Sequence, residues 1–273
     1  MAEAKTNLEK NISVSVGQRV EALVQAQALV LPKDYVPENA LKAAWLMLPS
    51  IVDKDKNKVL DVCTPESISN ALFDMCVRGL NPFKSQGYFI AFGKELKWLT
   101  SGFGNEVVAK RVGGLKWIKG TVIYAKDEFE YEIDSTTARV KVIRHKQVLE
   151  NIDITTIRGG YATYELEDGT MDVVPMTIAQ IEESWKMGSL KGKGDAHLKF
   201  TDQMVIKTVK NRACKFLING SSDAALLEDK DPDSNIELAV AHNAINIEFT
   251  DVSDPKNPIV NPAPDAQQPA AQQ

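Results

Sequence analysis

The apolar residues of this chain change period at the turn Gly79-Leu80-Asn81-Pro82, from helical spacing before it to extended runs after it. Upstream, Thr64 stands where a helix N-cap belongs, Pro65 takes the first helical position, and Ile68, Leu72, Met75 and Cys76 follow at helical spacing until Gly79 offers a left-handed cap. Downstream, Tyr88 to Phe92 is almost continuously apolar, Gly93-Lys94 supplies a turn, and residues 95–98 alternate, which predicts a hairpin leading into a short helix over 105–112. A chain that changes period in this way must pack helices against a sheet.

The same reading extends to both sides. Helices are predicted over 17–31, where Val20, Leu23, Val24, Gln27 and Leu31 recur, and over 38–48, where Leu41, Ala44, Trp45 and Leu48 share a face before Pro49. Strands are predicted over 117–124, 128–133, 139–143, 161–166 and 171–174, the last two flanking the hairpin turn Asp168-Gly169. Thr177 and Gln180 form a capping box for a helix over 178–187. Gly188, Gly192 and Gly194, interleaved with Lys191 and Lys193, mark a loop; a long helix over 202–218 closes at Gly220, and Ser234 with Glu237 caps another over 235–245. The expected architecture is one α+β domain with a central, twisted, mainly antiparallel sheet and flanking helices. Its expected divisions are a flexible start (1–15), a core (16–222), an acidic helical region (223–250) and a disordered Pro/Ala/Gln-rich tail (251–273).

Charge is distributed unevenly over that plan. The net charge is −5, yet residues 223–273 hold ten carboxylates against two lysines, leaving +3 on residues 1–222. Two runs are strongly basic: residues 84–119 carry seven Lys/Arg against Glu95 and Glu106, and residues 186–215 carry eight against Asp195 and Asp202. Such bunching is an electrostatic footprint for a polyanion, although charge runs also occur as plain solvated surface.

On the 202–218 helix, Lys207, Lys210, Asn211 and Cys214 fall within about 100° of arc with Lys215 beside them, opposite Val205, Ile206, Val209, Ala213 and Phe216. That pattern anchors one face in a core and presents ammonium groups on the other; the alternative is long side chains lying over a packed surface. The first basic run interleaves charge with rings: Phe83, Tyr88, Phe92, Trp98, Phe103 and Trp117 among Lys84, Lys97, Lys110, Arg111, Lys116 and Lys119. Exposed rings stack on bases while cations neutralise phosphates. Alternation along a strand sends part of any such set into the core.

Other chemistries find little support in the sequence. Cys63, Cys76 and Cys214 lack metal or disulfide spacing, and His145, His197 and His242 form no ligand pattern. No GxxxxGK[ST], dinucleotide fingerprint or GxSxG occurs. Asp127, Glu128, Glu130, Glu132 and Asp134 are dense enough to hold Mg²⁺ in principle, but carboxylates alternating along a strand ordinarily make a solvated face. No apolar signal segment or bilayer-length run is present, so a cytoplasmic protein is expected.

Three stretches together resemble the RecT family of phage single-strand DNA annealing proteins. They are CTPESISNALFDMCVRGLNPFKSQGYFIAFG from Cys63 to Gly93, DEFEYEI followed by His145, and FTDQMVIKTVKNRACKFL from Phe200 to Leu217. The chain departs from the family pattern at Phe92, where a Tyr is common, and at Phe200, near a common Trp. The resemblance implies a core distantly similar to eukaryotic single-strand annealing proteins, and ATP-independent pairing of complementary strands in phage homologous recombination inside the bacterial host. It implies rings or helical filaments on DNA rather than bond-making or bond-breaking chemistry, with a non-assembling single-stranded DNA-binding protein as the alternative. No cofactor is implied, and Mg²⁺ acts on annealing without a dedicated protein site. The implied partners are single-stranded and annealed duplex DNA, further copies of the chain, a phage 5′→3′ exonuclease and a host single-strand-binding protein. Lys207, Lys210 and Lys215 are the leading phosphate contacts, Arg212 contacts phosphate or bridges protomers, and Lys110, Arg111, Lys116 and Lys119 form a second tier. The acidic end is expected either to suppress non-specific DNA attachment or to contact a basic neighbour.

Overall fold

The computed structural model describes residues 2–188 and 191–221. All of these lie in the first of two units, residues 1–236. The expected helix over 235–245, the acidic region and the Pro/Ala/Gln-rich tail lie outside the described residues.

Helix α1 (Ala2–Gln25) begins well before the expected Gly17 and stops before Leu31. The stripe that buries is Ile12, Val16 and Val20, one turn apart, while Val24 and Gln27 are exposed. Helix α2 (Pro37–Met47) buries Ala40, Leu41, Ala44 and Trp45, and a single turn, α3 (Val59–Val62), precedes α4 (Pro65–Val77). The predicted cap of α4 is present: the Thr64 hydroxyl accepts from the Ser67 N–H at 3.2 Å, and Gly79 leaves the helix at φ 61°. Tyr35 then donates its hydroxyl to the Leu80 carbonyl at 3.1 Å, tying the turn to the chain before α2.

The hairpin follows as β1 (Gly87–Phe92) and β2 (Glu95–Thr100), antiparallel, turning through Gly93 at φ 63°. It leads into α5 (Gly102–Val112). Strand β3 (Leu115–Tyr124) pairs with β6 (Ile157–Leu166), which pairs with β7 (Met171–Thr177); between β3 and β6 the chain makes a separate hairpin, β4 (Glu128–Ile133) and β5 (Val140–Lys146). Thr177 and Gln180 form the predicted capping box of α6 (Ile178–Lys186), followed by α7 (Asp195–Lys199) and α8 (Thr201–Asn219).

One central sheet was the expectation. The described residues instead form three antiparallel sheets, β1–β2, β3–β6–β7 and β4–β5. The physical reason is that β4 and β5 satisfy their ladder bonds only with each other. They attach through side chains: Phe129, Val140 and Val142 pack on Ile123, Tyr161 and Val173. A buried polar joint reinforces this attachment. Asp127 accepts from the Tyr124 N–H at 2.8 Å and from the Gln147 amide at 2.8 Å, and lies 3.2 Å from His145, whose other ring nitrogen is 2.9 Å from the Tyr161 hydroxyl.

Helix α8 lies across β3 and β6 on one side and against α5 on another. Gly160 permits the close approach, since a Cβ there would stand 2.6 Å from Val205 Cγ1. The main core thus joins the inner faces of α1, α2 and α4 to the hairpin, α5, the three-stranded sheet and α8.

Candidate nucleic-acid interface

The outer face of the β1–β2 hairpin follows from strict alternation. Phe89 and Trp98 point inward, 4 % exposed each, with ring centroids 4.9 Å apart. Tyr88 (50 % exposed), Ile90 and Phe92 (41 % exposed) point outward, opposite Leu99, Lys97 and Glu95 in the ladder. The Lys97 ammonium sits 5.7 Å over the Phe92 ring, so a cation and aromatic faces share one exposed surface. Exposure therefore divides the aromatic set: Phe83, Tyr88, Phe92 and Phe103 are open, Trp98 is core, and Trp117 is half-buried, donating to Glu165 at 2.5 Å.

Ser101 converts the end of β2 into the start of α5. Its hydroxyl accepts from the Gly104 N–H at 3.1 Å and donates to the Ser85 carbonyl at 2.6 Å. The first turn of α5 carries exposed Phe103, and the stem of Lys207 crosses it, 3.6 Å from where a Gly102 Cβ would lie. An exposed ammonium beside the positive end of a helix favours an anion. Burial, and then the charge of Lys207, hold the nearby His197 below the ordinary histidine range.

Helix α8 does not have the single open basic face expected of it. Val205 and Val209 are buried in its first half and Cys214 and Ile218 in its second, and these pairs are nine residues apart, about 180° around the helix. The side that carries Lys207 is open at Lys207 and closed at Cys214, where α5 packs. Asn211 accepts from the Asn105 amide at 2.6 Å, and burial pushes the Cys214 thiol up to about 12. Phe216, expected in the apolar face, is 72 % exposed on the opposite side. Arg212 is exposed there too, ~140° from Lys207, and Lys215 is half-buried.

The remaining basic candidates divide by their partners. Lys210 reaches Glu106 Oε2 at 2.7 Å and Lys110 reaches Glu106 Oε1 at 3.1 Å, so one carboxylate joins a lysine of α5 to one of α8. Burial works to raise the Glu106 pKa, but the two lysines outweigh it and hold the carboxyl below its ordinary value. Lys116 pairs with Glu165 at 2.6 Å, which raises its own pKa, and Lys119 is exposed on β3. Arg111 is half-buried, and its guanidinium lies 2.5 Å from where a Gly79 Cβ would stand, packing toward the end of α4. Glu106 thus brings Lys110 and Lys210 together, Lys207 crosses the start of α5 beside Phe103, and Lys97 shares the outer face of the hairpin with Tyr88 and Phe92. Arg111 on α5, Arg212 and Lys215 on α8 and Lys116 on β3 are not part of these groupings.

Glu106, Ile90 and Ser101 escaped the sequence reading. Alternation with Tyr88 and Phe92 marks Ile90, and Ser101-Gly102-Phe103-Gly104 is a capping signal, but no local pattern pairs Glu106 with a lysine 104 residues away.

The acidic stretch 127–134 has other occupations. Asp127 faces the buried His145 joint, Glu128 pairs with Arg144 and Lys146, and Asp134 accepts from the Thr136 and Thr137 N–H groups. Among the described residues no three His, Cys, Asp or Glu are grouped to hold a metal ion, and no helix is long and apolar enough to cross a membrane.

A comparison with curated proteins gives no match. The family model described as RecT family matches residues 38–241, about three quarters of the chain. That span contains α4, the exposed-ring hairpin, the Glu106-linked lysines and the whole of α8, and with it the chain belongs to the RecT family, whose members are DNA-binding recombination proteins of bacteriophages.

Proposed function

We propose that this chain binds single-stranded DNA along the outer face of β1–β2, the start of α5 and the Lys207 side of α8, and anneals complementary strands without ATP. The observation that carries the reading is the joining, through Ser101, of an exposed aromatic face to a helix start crossed by Lys207. Strands of DNA repel through their phosphates. Cations on α5 and α8 neutralise one backbone, while Tyr88, Phe92 and Phe103 stack on bases, and the complementary strand supplies recognition by base pairing. Contacts to backbone and to ring faces carry little sequence information, so sequence preference is slight.

In this reading Lys207, Lys210 and Lys110 contact one strand, and Lys97 joins them. Lys119 and Arg212, exposed on other faces, serve the duplex or a neighbouring protomer; Lys116, Lys215 and Arg111 act behind the contact surface. Residues 16–222 bind DNA and assemble into a ring or filament. A phage 5′→3′ exonuclease generates the strands, a host single-strand-binding protein covers them, and the setting is the host cytoplasm.

Negative-stain imaging with one strand, then with its complement, tests the assembly. Ordered oligomers that appear with DNA support it. Isolated particles in both conditions, with binding intact, leave the non-assembling single-stranded DNA-binding protein as the better description.

A further inference from the structure

Glu106 occupies an unusual place among the basic groups. It lies on α5, its side chain 20 % exposed, and each of its carboxylate oxygens holds a different lysine: Oε1 takes Lys110 from the next turn of α5 and Oε2 takes Lys210 from α8. Both contacts are close, 3.1 Å and 2.7 Å, and both lysines hold the carboxyl ionised. Lys210 is itself only 25 % exposed and Lys110 46 %, so the three groups form a partly desolvated cluster with a net charge of +1 rather than +2. Each ammonium has three donors, and one contact to Glu106 leaves the others free to turn outward.

We propose that Glu106 is a charge-setting residue of the DNA grip: by cancelling one of the two lysine charges, it holds the affinity for single-stranded DNA below what Lys110 and Lys210 together would give. The inference rests on the DNA reading above. A moderate grip suits strand pairing, because a strand held too tightly at every phosphate cannot adjust its register against a complement.

The magnitude follows from counterion release. One more cation available to a single strand steepens the slope of log K against log salt by about 0.7. Referred to 1 M salt, that corresponds to binding tighter by about 8-fold at 50 mM and about 3-fold at 200 mM. The test is the affinity of the full chain for a labelled oligodeoxythymidine over that salt range, with thermal melting as the check on folding.

Glu106→Gln is expected to steepen the slope and tighten binding by those factors, Lys110→Gln to make the slope shallower by a similar step, and the double variant Glu106→Gln/Lys110→Gln to return to the parent slope. The return is the decisive readout, since a role limited to tying α5 to α8 would leave the double variant weaker than either parent form. A folded Glu106→Gln protein with unchanged or weaker binding, or a double variant that fails to return, overturns the proposal while leaving the DNA reading in place. Absence of salt-dependent binding by the unaltered chain overturns the DNA reading and this proposal with it.

Discussion

Replacing the outward rings of the β1–β2 hairpin should weaken DNA binding without unfolding the protein, whereas replacing the inward rings should destabilise the fold itself. Tyr88 and Phe92 are 50 % and 41 % exposed, so truncation to Ala gives up only part of a ring's burial, roughly 1 kcal/mol of stability each. Phe89 and Trp98 are 4 % exposed and packed on each other, and truncating either should cost about 3–5 kcal/mol. A base stacked on an aromatic side chain contributes about 1–3 kcal/mol, so Tyr88→Ala or Phe92→Ala should weaken oligodeoxythymidine binding by about 5- to 150-fold. Fluorescence anisotropy at fixed salt measures the first quantity and urea unfolding the second. The reasoning is refuted if the double variant Tyr88→Ala/Phe92→Ala binds within two-fold of the parent, or if its loss of binding tracks its loss of folded protein.

Three further outcomes follow from the same structure. Lys207→Gln should make the salt slope for single-stranded DNA shallower by about 0.7, because Lys207 is exposed and its stem crosses the start of α5; an unchanged slope removes Lys207 from the contact. Burial works to raise the Asp127 pKa, but donors from Tyr124, Gln147 and His145 outweigh it and lower the value. Its contribution to stability is therefore complete above the ordinary aspartate range and lost as pH falls through the depressed value. Asp127→Ala should cost about 1–3 kcal/mol near neutrality and flatten the acid limb of a urea-stability profile, and an unaltered limb counts against the joint. Deletion from Asp223 onward removes a charge of −8 and should hold or raise DNA affinity; a fall in both affinity and salt dependence contradicts masking by the acidic end.

What could be read in advance was local. Thr64 with Pro65, Thr177 with Gln180 and the Asp168-Gly169 turn each act within a few residues, and each stands where its pattern put it. Helix α1 starts before the expected Gly17, and the buried stripe Ile12, Val16 and Val20, at four-residue spacing, is the sequence signal for that earlier start. The division into three sheets was not legible, since alternation in β4 and β5 marks strands but does not say that they pair only with each other. The α8 reading assumed one buried side along the whole helix, whereas the helix rests on the sheet through Val205 and Val209 and on the opposite side through Cys214 and Ile218. Partners distant in sequence explain the remaining differences. Glu106 holds Lys210 and Glu165 holds Lys116, and both pairings depend on how α8 and β6 come to lie against elements more than forty residues earlier.

The central claim is that the hairpin and the α5–α8 surface pair complementary strands without nucleotide. The direct measurement is the rate at which two labelled complementary oligonucleotides become duplex with the full chain and no ATP, compared with the Tyr88→Ala/Phe92→Ala and Lys207→Glu/Lys210→Glu proteins. The account predicts clear acceleration by the unaltered chain and at least about a ten-fold loss in each variant, from the loss of one stacked base or two cations. Annealing at the unaltered rate by both folded variants would contradict it.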